Sequence, residues 1–352
     1  MDRQALQQMI GRVLMVGIPG VELDEATAAT LRRLHIGGVI LFRRNVGTPT
    51  QLAALTAALH ALPARPLVSI DHEGGRVMRL GAPFTSFPAM AVVGATGDST
   101  VARQVGRAMG AELSAVGIDL DFAPVLDVHS NAANPVIGDR SFSSDPSVVT
   151  TMGIALMHGL YEGGVLSCGK HFPGHGDTDT DSHLTLPTVR RTRTELDRIE
   201  LPPFRAAIAA GVPLLLTAHV LYPALDPHRP ATLSPLILRD LLRTELGFAG
   251  VIASDDLEMR AISGHHDIGD AAVATLNAGV DLLLVCNDFA KAEVASAAIE
   301  RAVIDGVLSA NVVEAAAGRV NRLTKPHRSS IALADLPIAE HAALAARLRA
   351  QK

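Results

Sequence analysis

Aromatic residues are scarce in this chain of 352 residues, which has no tryptophan, two tyrosines and an aromatic content of 3%. A binding platform of stacked rings, as used for bases or sugar faces, is therefore not expected. Cysteine is equally rare, and Cys168 and Cys286 both stand inside apolar runs, where a free thiol behaves as a small buried hydrophobe. This usage argues against a disulfide framework and favours a reducing compartment.

Long apolar runs and an excess of positive charge are also missing. No apolar run reaches the roughly 18 residues of a membrane-spanning helix, and the first residues lack the basic flank and apolar stretch of a signal peptide. The formal net charge is -5, and no basic stripe marks a nucleic-acid footprint. We expect a cytoplasmic protein that binds a small molecule and neither membranes nor nucleic acid.

Short apolar runs alternate with segments of helical spacing along most of the chain. Buried strands joined by helices indicate a parallel sheet, and about eight such units predict an α/β fold, a single TIM-type (β/α)8 barrel over residues 1–352. Residues 326–352 are expected to form a helical extension that packs outside the barrel. The predicted strands are Val13–Ile18, Gly38–Phe42, Leu67–Asp71, Leu120–Asp127, Val165–Phe172, Leu214–His219, Val251–Asp256 and Asp281–Cys286.

Several predicted helices begin with a capping side chain followed by proline at the first helical position. Thr48, Asp145 and Ser234 are these capping residues, ahead of helices predicted over 49–61, 146–161 and 235–246. Further helices are predicted over 100–115, 270–278, 290–304, 309–323 and 338–350. The pattern is structural and carries no chemistry by itself.

The densest polar stretch runs from Lys170 to His183 and joins three histidines, three aspartates and a lysine to proline and glycine. Burying so many charges costs desolvation, and the stretch has no apolar periodicity, so folding alone does not explain it. It directly follows the fifth predicted strand, and the active site of such a barrel lies at the carboxyl ends of the strands. The stretch is therefore a candidate site.

Other predicted strands also end in polar residues, each of which has a structural interpretation. Asp127, His72 and His219 are as compatible with capping or pairing as with function, and Glu73 and Arg76 favour a structural ion pair. Asp256 and Glu258 fit the first turn of a following helix, where acids suit the helix dipole. Asp255 alone ends its strand inside the rim.

A metal site is possible in principle within the dense stretch. Asp177, Asp179 and Asp181 alternate as in a calcium loop, but the glycine and glutamate that this template requires are replaced by Ser182 and Thr188. Zinc is also disfavoured, because Pro173 and Gly174 separate the histidines and prevent the helical spacing of a common zinc motif. We therefore predict no metal.

A metal-free interpretation uses the same residues for proton transfer. In an extended loop, residues two apart point the same way, so Asp181 can reach the imidazole of His183. Such a pair fixes the histidine tautomer and can donate and accept a proton near neutral pH. With Asp255 as a carboxylate nucleophile, these are the parts of a retaining glycosidase in which histidine replaces the usual carboxylic acid.

The motifs resemble those of the family 3 glycoside hydrolases, specifically the single-domain bacterial β-N-acetylglucosaminidases of peptidoglycan recycling. The resemblance lies in residues 170–183, 254–259, 71–77 and 138–142. It implies Asp255 as the nucleophile and His183, paired with Asp181, as the general acid/base. It also implies that the terminal N-acetylglucosamine is bound by Asp71, Arg79, Arg140, Lys170 and His171.

The resemblance thus implies a retaining exo-β-N-acetylglucosaminidase that needs no cofactor. Its expected substrate is a muropeptide with N-acetylglucosamine linked to 1,6-anhydro-N-acetylmuramic acid. Three alternatives remain: a glycoside phosphorylase with the same Asp255, a metal-dependent amidohydrolase from another class, and a non-catalytic sugar-binding module.

Overall fold

Eight parallel strands close into a barrel in which each strand pairs with its neighbours in sequence and the last pairs with the first. The computed structural model describes residues 2–180, 185–328 and 330–350. The predicted TIM-type (β/α)8 fold is confirmed. The barrel strands are Leu14–Gly17, Gly38–Leu41, Leu67–Ile70, Leu120–Asp121, Leu166–Phe172, Leu214–Thr217, Val251–Asp256 and Leu282–Val285.

The strands are largely apolar because both of their faces are covered. Alternate side chains such as Met15, Ile40 and Leu120 fill the barrel interior, while Val16 and Val39 pack outward against the helices. Cys168 and Cys286 also belong to the interior core and are buried free thiols, and burial raises the pKa of both. The predicted placement of both cysteines is confirmed.

Helices surround the barrel, and several begin where the sequence predicted. Thr48 and Asp145 each accept a backbone N–H at the start of the following helix, and the hydroxyl of Ser234 accepts the N–H of Ile237 at 3.2 Å. No described helix is long and apolar enough to cross a bilayer. The α-helices are Arg3–Arg12, Glu25–Arg33, Pro49–His60, Met90–Ala95, Ser99–Ala115, Pro146–Glu162, Arg193–Arg198, Leu201–Ala209, Arg260–Ser263, Ile268–Ala278, Phe289–Ile304, Ala310–Asn321 and Ala339–Arg349, and a π-type helix spans Leu236–Glu245.

The fourth strand is shorter than predicted, with only Leu120–Asp121 in regular pairing instead of Leu120–Asp127. Pro124 has no N–H to donate, which breaks the ladder. The chain nevertheless stays beside the fifth strand, because Lys170 donates its N–H to the oxygen of Pro124 at 3.1 Å and accepts from Leu126 at 2.6 Å. This irregular segment delivers Asp127 to the rim of the barrel.

The final helix, Ala339–Arg349, packs on the outside of the barrel against Met90–Ala95 and Ser99–Ala115. Its Leu344 and Leu348 are buried in a core that includes Met90. The ring of His341 adds a polar contact, with Nδ1 lying 2.8 Å from Glu112 Oε1.

Candidate active site

A cavity of about 460 Å³ opens at the carboxyl ends of the barrel strands. All predicted site residues that the structure describes line it, although they come from the ends of different strands. Asp181 and His183 lie outside the described residues. The charged and polar lining consists of Asp71, Glu73, Arg79, Arg140, Lys170, His171, His175, Asp255, Asp256, Glu258, Arg260 and Asn287.

Lys170, near the end of the fifth strand, connects two carboxylates beneath the cavity. Its Nζ lies 2.7 Å from Asp71 Oδ1 and 2.6 Å from Glu73 Oε1, and its side chain is only 3% exposed. Burial alone would lower the pKa of Lys170, but the two carboxylates outweigh this effect and raise it. Burial conversely favours a higher pKa for Asp71, which Lys170 and Arg79 hold below its usual value. Both groups are therefore charged near neutral pH.

Glu73 forms ion pairs, as the sequence favoured, and it also lines the cavity, although it was not among the predicted ligand-binding residues. It binds the guanidinium of Arg140 in bidentate fashion, with both N–O distances at 2.8 Å, rather than pairing with Arg76. Arg76 instead lies 3.4 Å from Asp139. The spacing could have indicated that Glu73 lies beside Asp71, because the two are two residues apart and an extended chain places such residues on one side.

Asp127 orients His171, so this strand-end aspartate does pair with a neighbour. Its Oδ2 lies 2.6 Å from His171 Nδ1, and its Oδ1 accepts the backbone N–H groups of His171 and His175 at 3.1 and 2.7 Å. Burial tends to raise the pKa of Asp127, but His171 and these hydrogen bonds keep it below its usual value. Since Nδ1 is engaged, the other ring nitrogen of His171 is left for a ligand.

Asp255 and Asp256 end the seventh strand side by side in the cavity. The Oδ1 of Asp255 accepts the N–H of Asp256 at 2.8 Å. Asp256 in turn accepts the N–H of Glu258 at 3.0 Å and the side-chain amide of Asn287 at 2.9 Å. Burial raises the pKa of Asp256 to about 7.

Glu258 stabilises the loop after the eighth strand rather than the short helix that follows it in sequence. Its carboxylate accepts the N–H groups of Asn287 and Asp288 and lies 3.1 Å from Lys291 Nζ. The following helix, Arg260–Ser263, begins without a side-chain cap. The expectation that Asp256 and Glu258 serve that helix is therefore wrong: they connect adjacent loops at the rim.

The two histidines at other strand ends have structural partners. The ring of His219 lies 2.8 Å from the hydroxyl of Thr232 and 3.0 Å from the backbone oxygen of Asp256. The imidazole of His72 is buried, which lowers its pKa to about 4, and the backbone N–H of this residue donates to Asp121 Oδ1 at 2.9 Å. Neither His72 nor His219 is among the described residues that line the cavity.

No group of three or more histidine, cysteine, aspartate or glutamate side chains within 2–180, 185–328 and 330–350 has a metal-binding arrangement. Asp177, the first member of the alternating aspartates, is bound to Arg191 at 2.9 Å. The cavity thus offers fixed hydrogen-bonding groups and carboxylates that can contact a polyhydroxylated ligand.

Comparison with known proteins identifies similar chains. A family model described as the glycosyl hydrolase family 3 N terminal domain matches residues 5–323. A beta-hexosaminidase of Nitrosomonas eutropha is 44% identical over 282 residues, which cover 78% of this chain and 80% of that protein.

Solved structures are similar over nearly the whole chain. A family 3 β-N-acetylglucosaminidase from Paenibacillus sp. str. FPU-7 aligns with a TM-score of 0.92 and 41% identity, over 98% of this chain and 68% of that one. NagZ from Neisseria gonorrhoeae, in complex with N-trifluoroacetyl-D-glucosamine, aligns with a TM-score of 0.81 and 38% identity, over 96% and 97%.

Proposed function

The chain belongs to glycosyl hydrolase family 3 and is a β-N-acetylhexosaminidase, and we propose that it releases terminal β-linked N-acetylglucosamine with retention of configuration. The proposal rests on one observation: Asp255 lines the same cavity as the charged side chains of Asp71, Arg79, Arg140 and Lys170. A carboxylate facing such groups is suited to attack a bound sugar.

Donor counting suggests how the sugar is held. Lys170 has three N–H donors, and Asp71 and Glu73 take two of them. Arg140 donates from Nε and Nη2 of its guanidinium to the carboxylate of Glu73. Asp71 and Arg79 keep more surface, with side chains 20% and 26% exposed, so we assign them the main hydroxyl contacts. Lys170, Arg140 and His171 add one directed contact each.

In the proposed reaction Asp255 attacks the anomeric carbon while the bond to the departing oxygen breaks and His183 protonates that oxygen. His183 then takes a proton from water, whose oxygen attacks the same carbon and frees Asp255. Asp181 steadies the imidazolium. The roles of Asp181 and His183 come from the family resemblance, and the scheme uses no cofactor.

The proposed substrate is N-acetylglucosamine β-1,4-linked to 1,6-anhydro-N-acetylmuramic acid, a muropeptide fragment of cell-wall recycling in the cytoplasm. Support comes from the relatives: the Paenibacillus protein is a β-N-acetylglucosaminidase, and the gonococcal NagZ structure contains an N-acylated glucosamine.

The decisive experiment traps the covalent intermediate. A fluorinated N-acetylglucosaminyl donor that slows the second step should label the protein once, and peptide mapping should locate the sugar on Asp255. Asp255→Asn should abolish labelling and lower turnover by roughly 10³-fold or more. Labelling of Asp256, the adjacent carboxyl in the same cavity, would contradict the assignment.

Product analysis separates hydrolysis from phosphorolysis. We expect free N-acetylglucosamine at the same rate with and without phosphate. A phosphate-dependent rate with sugar 1-phosphate as product would instead indicate a phosphorylase. An amidohydrolase would give no Asp255 adduct.

A further inference from the structure

Arg260 lines the cavity without a carboxylate partner. Among residues 2–180, 185–328 and 330–350, no carboxylate forms an ion pair with its guanidinium and no oxygen accepts a hydrogen bond from it. The other arginine and lysine side chains of the lining all pair with carboxylates, and these are Arg79, Arg140 and Lys170. The N–H donors of Arg260 are therefore available to a ligand.

The acids that stand next to Arg260 in sequence are bound to other groups. Glu258, whose side chain is 5% exposed, lies 3.1 Å from Lys291 Nζ on the helix that follows the eighth strand. Asp256 accepts the side-chain amide of Asn287 at 2.9 Å. Neither acid neutralises Arg260, which keeps its positive charge within the cavity.

The backbone on either side of Arg260 is held by packing. Met259 and Ala261 are 8% and 1% exposed, and Ile262 belongs to a small buried cluster. Gly264 donates its N–H to the backbone oxygen of Arg260 at 3.0 Å, which closes the short helix. Arg260 is thus an exposed side chain on a fixed piece of backbone.

Arg260 lies farther out than the groups assigned to the terminal sugar. It follows the end of the Val251–Asp256 strand and is exposed, whereas the side chains of Lys170 and Arg140 are 3% and 11% exposed. An exo-acting glycosidase holds the terminal sugar in the inner part of its cavity, so the aglycone occupies the mouth. Arg260 is therefore on the side of the aglycone.

We propose that Arg260 determines specificity by binding a carboxylate carried by the aglycone. This inference rests on the proposed function, whose substrate has such a group on the lactyl ether of its anhydromuramic unit or, when a peptide is attached, on that peptide. A neutral chito-oligosaccharide has none. The planar guanidinium suits the task, because it can donate two parallel hydrogen bonds to one carboxylate.

The test compares wild type with Arg260→Gln on three substrates that share the same N-acetylglucosaminyl bond. The first is the proposed disaccharide with a free lactyl carboxylate, and the second is its N-methylamide, which is uncharged. The third carries a peptide, so that its lactyl carboxyl is an amide and its carboxylates lie on the peptide. Wild type should prefer a charged substrate to the N-methylamide. Arg260→Gln should lower kcat/KM on that charged substrate by roughly 10-fold and on the N-methylamide by less than about twofold.

The substrate that responds identifies the carboxylate. A loss on the free acid assigns it to the lactyl group, and a loss confined to the third substrate assigns it to the peptide. Equal losses on charged and uncharged substrates, or no loss on either charged one, would overturn the inference.

Two further variants separate position from net charge. Arg301→Gln removes the same charge from an exposed position outside the cavity lining and should leave all three rates unchanged. A matching loss in this variant would attribute the effect to net charge and contradict the inference. Arg260→Lys keeps the charge without the planar fork and should recover part of the preference.

The N-methylamide reports on the proposed function separately. If wild type releases N-acetylglucosamine from it through the Asp255 adduct but does not prefer either charged substrate, only the role of Arg260 fails. If wild type hydrolyses none of the three substrates, the proposed function fails and the inference falls with it.

Discussion

Replacing Lys170 with methionine provides a quantitative test of the charge cluster beneath the cavity. The variant keeps the length of the side chain but leaves Asp71 with only Arg79, at 3.3 Å, while Glu73 retains bidentate Arg140. Removing one partner from a buried ion pair typically costs about 3 to 5 kcal/mol. With an m-value of about 3 kcal/mol/M, the urea midpoint should fall by about 1 to 1.7 M.

The pH dependence of this loss identifies its cause. In the wild type, Asp71 has a pKa below its usual value, so its contribution to stability is present above the unfolded pKa of about 4 and disappears as pH falls through the folded pKa. Without Lys170, burial should raise the pKa of Asp71. The difference in unfolding free energy should therefore be largest near neutral pH and shrink towards about pH 4.

A matched control separates burial from simple loss of charge. Arg33 pairs with Glu293 on the surface, with side chains 57% and 45% exposed, so Arg33→Met should shift the urea midpoint far less and show little pH dependence. An equal midpoint shift in both variants, or a Lys170→Met loss that does not change with pH, would refute the reasoning.

Two other perturbations probe the rim. Gly176→Ala should lower stability by about 1 to 3 kcal/mol, because the new Cβ would lie 1.6 Å from the backbone oxygen of Val128, where no side-chain movement can relieve the clash. Gly81→Ala, with no heavy atom within 4 Å, is its control, and equal melting temperatures for the two variants would contradict the packing argument. Asp256→Asn should become progressively more stable than wild type as pH rises from about 4 to about 7, because the folded pKa of Asp256 is raised and its ionisation destabilises the native state. A stability difference that is constant across this range would rule out ionisation of Asp256 as the cause.

The barrel could be predicted because its signals are local. Each apolar run contains a strand, and capping by Thr48 and Asp145 follows from neighbouring residues. The main error, the length of the fourth strand, arises where Pro124 cannot donate to a ladder and the chain follows the fifth strand irregularly.

The pairing within the site could not be predicted, because it depends on closure of the barrel. Glu73 and Arg140 are 67 residues apart, and Asp127 and His171 are 44 apart, so neither partner is visible from local spacing. The sequence indicated that strand-end residues were candidates. Each strand end faces several others across the rim, however, so the sequence could not show which of them would pair. The choice of Arg140 rather than Arg76 for Glu73 is a property of the closed sheet.

The charges beneath the cavity form a chain of alternating sign: Arg79, Asp71, Lys170, Glu73 and Arg140, in contact at 3.3, 2.7, 2.6 and 2.8 Å. Buried ion pairs are weak contributors to stability, and apolar side chains could fill the same space without desolvating charge. Such a chain is better understood as preorganisation, since each cation is held by a carboxylate and its remaining donors are directed before a ligand arrives. The same reasoning explains Asp127, which fixes one nitrogen of His171 and thereby assigns the other to the ligand. The rigidity of the site therefore comes from residues such as Glu73 and Asp127, which need not contact the sugar themselves.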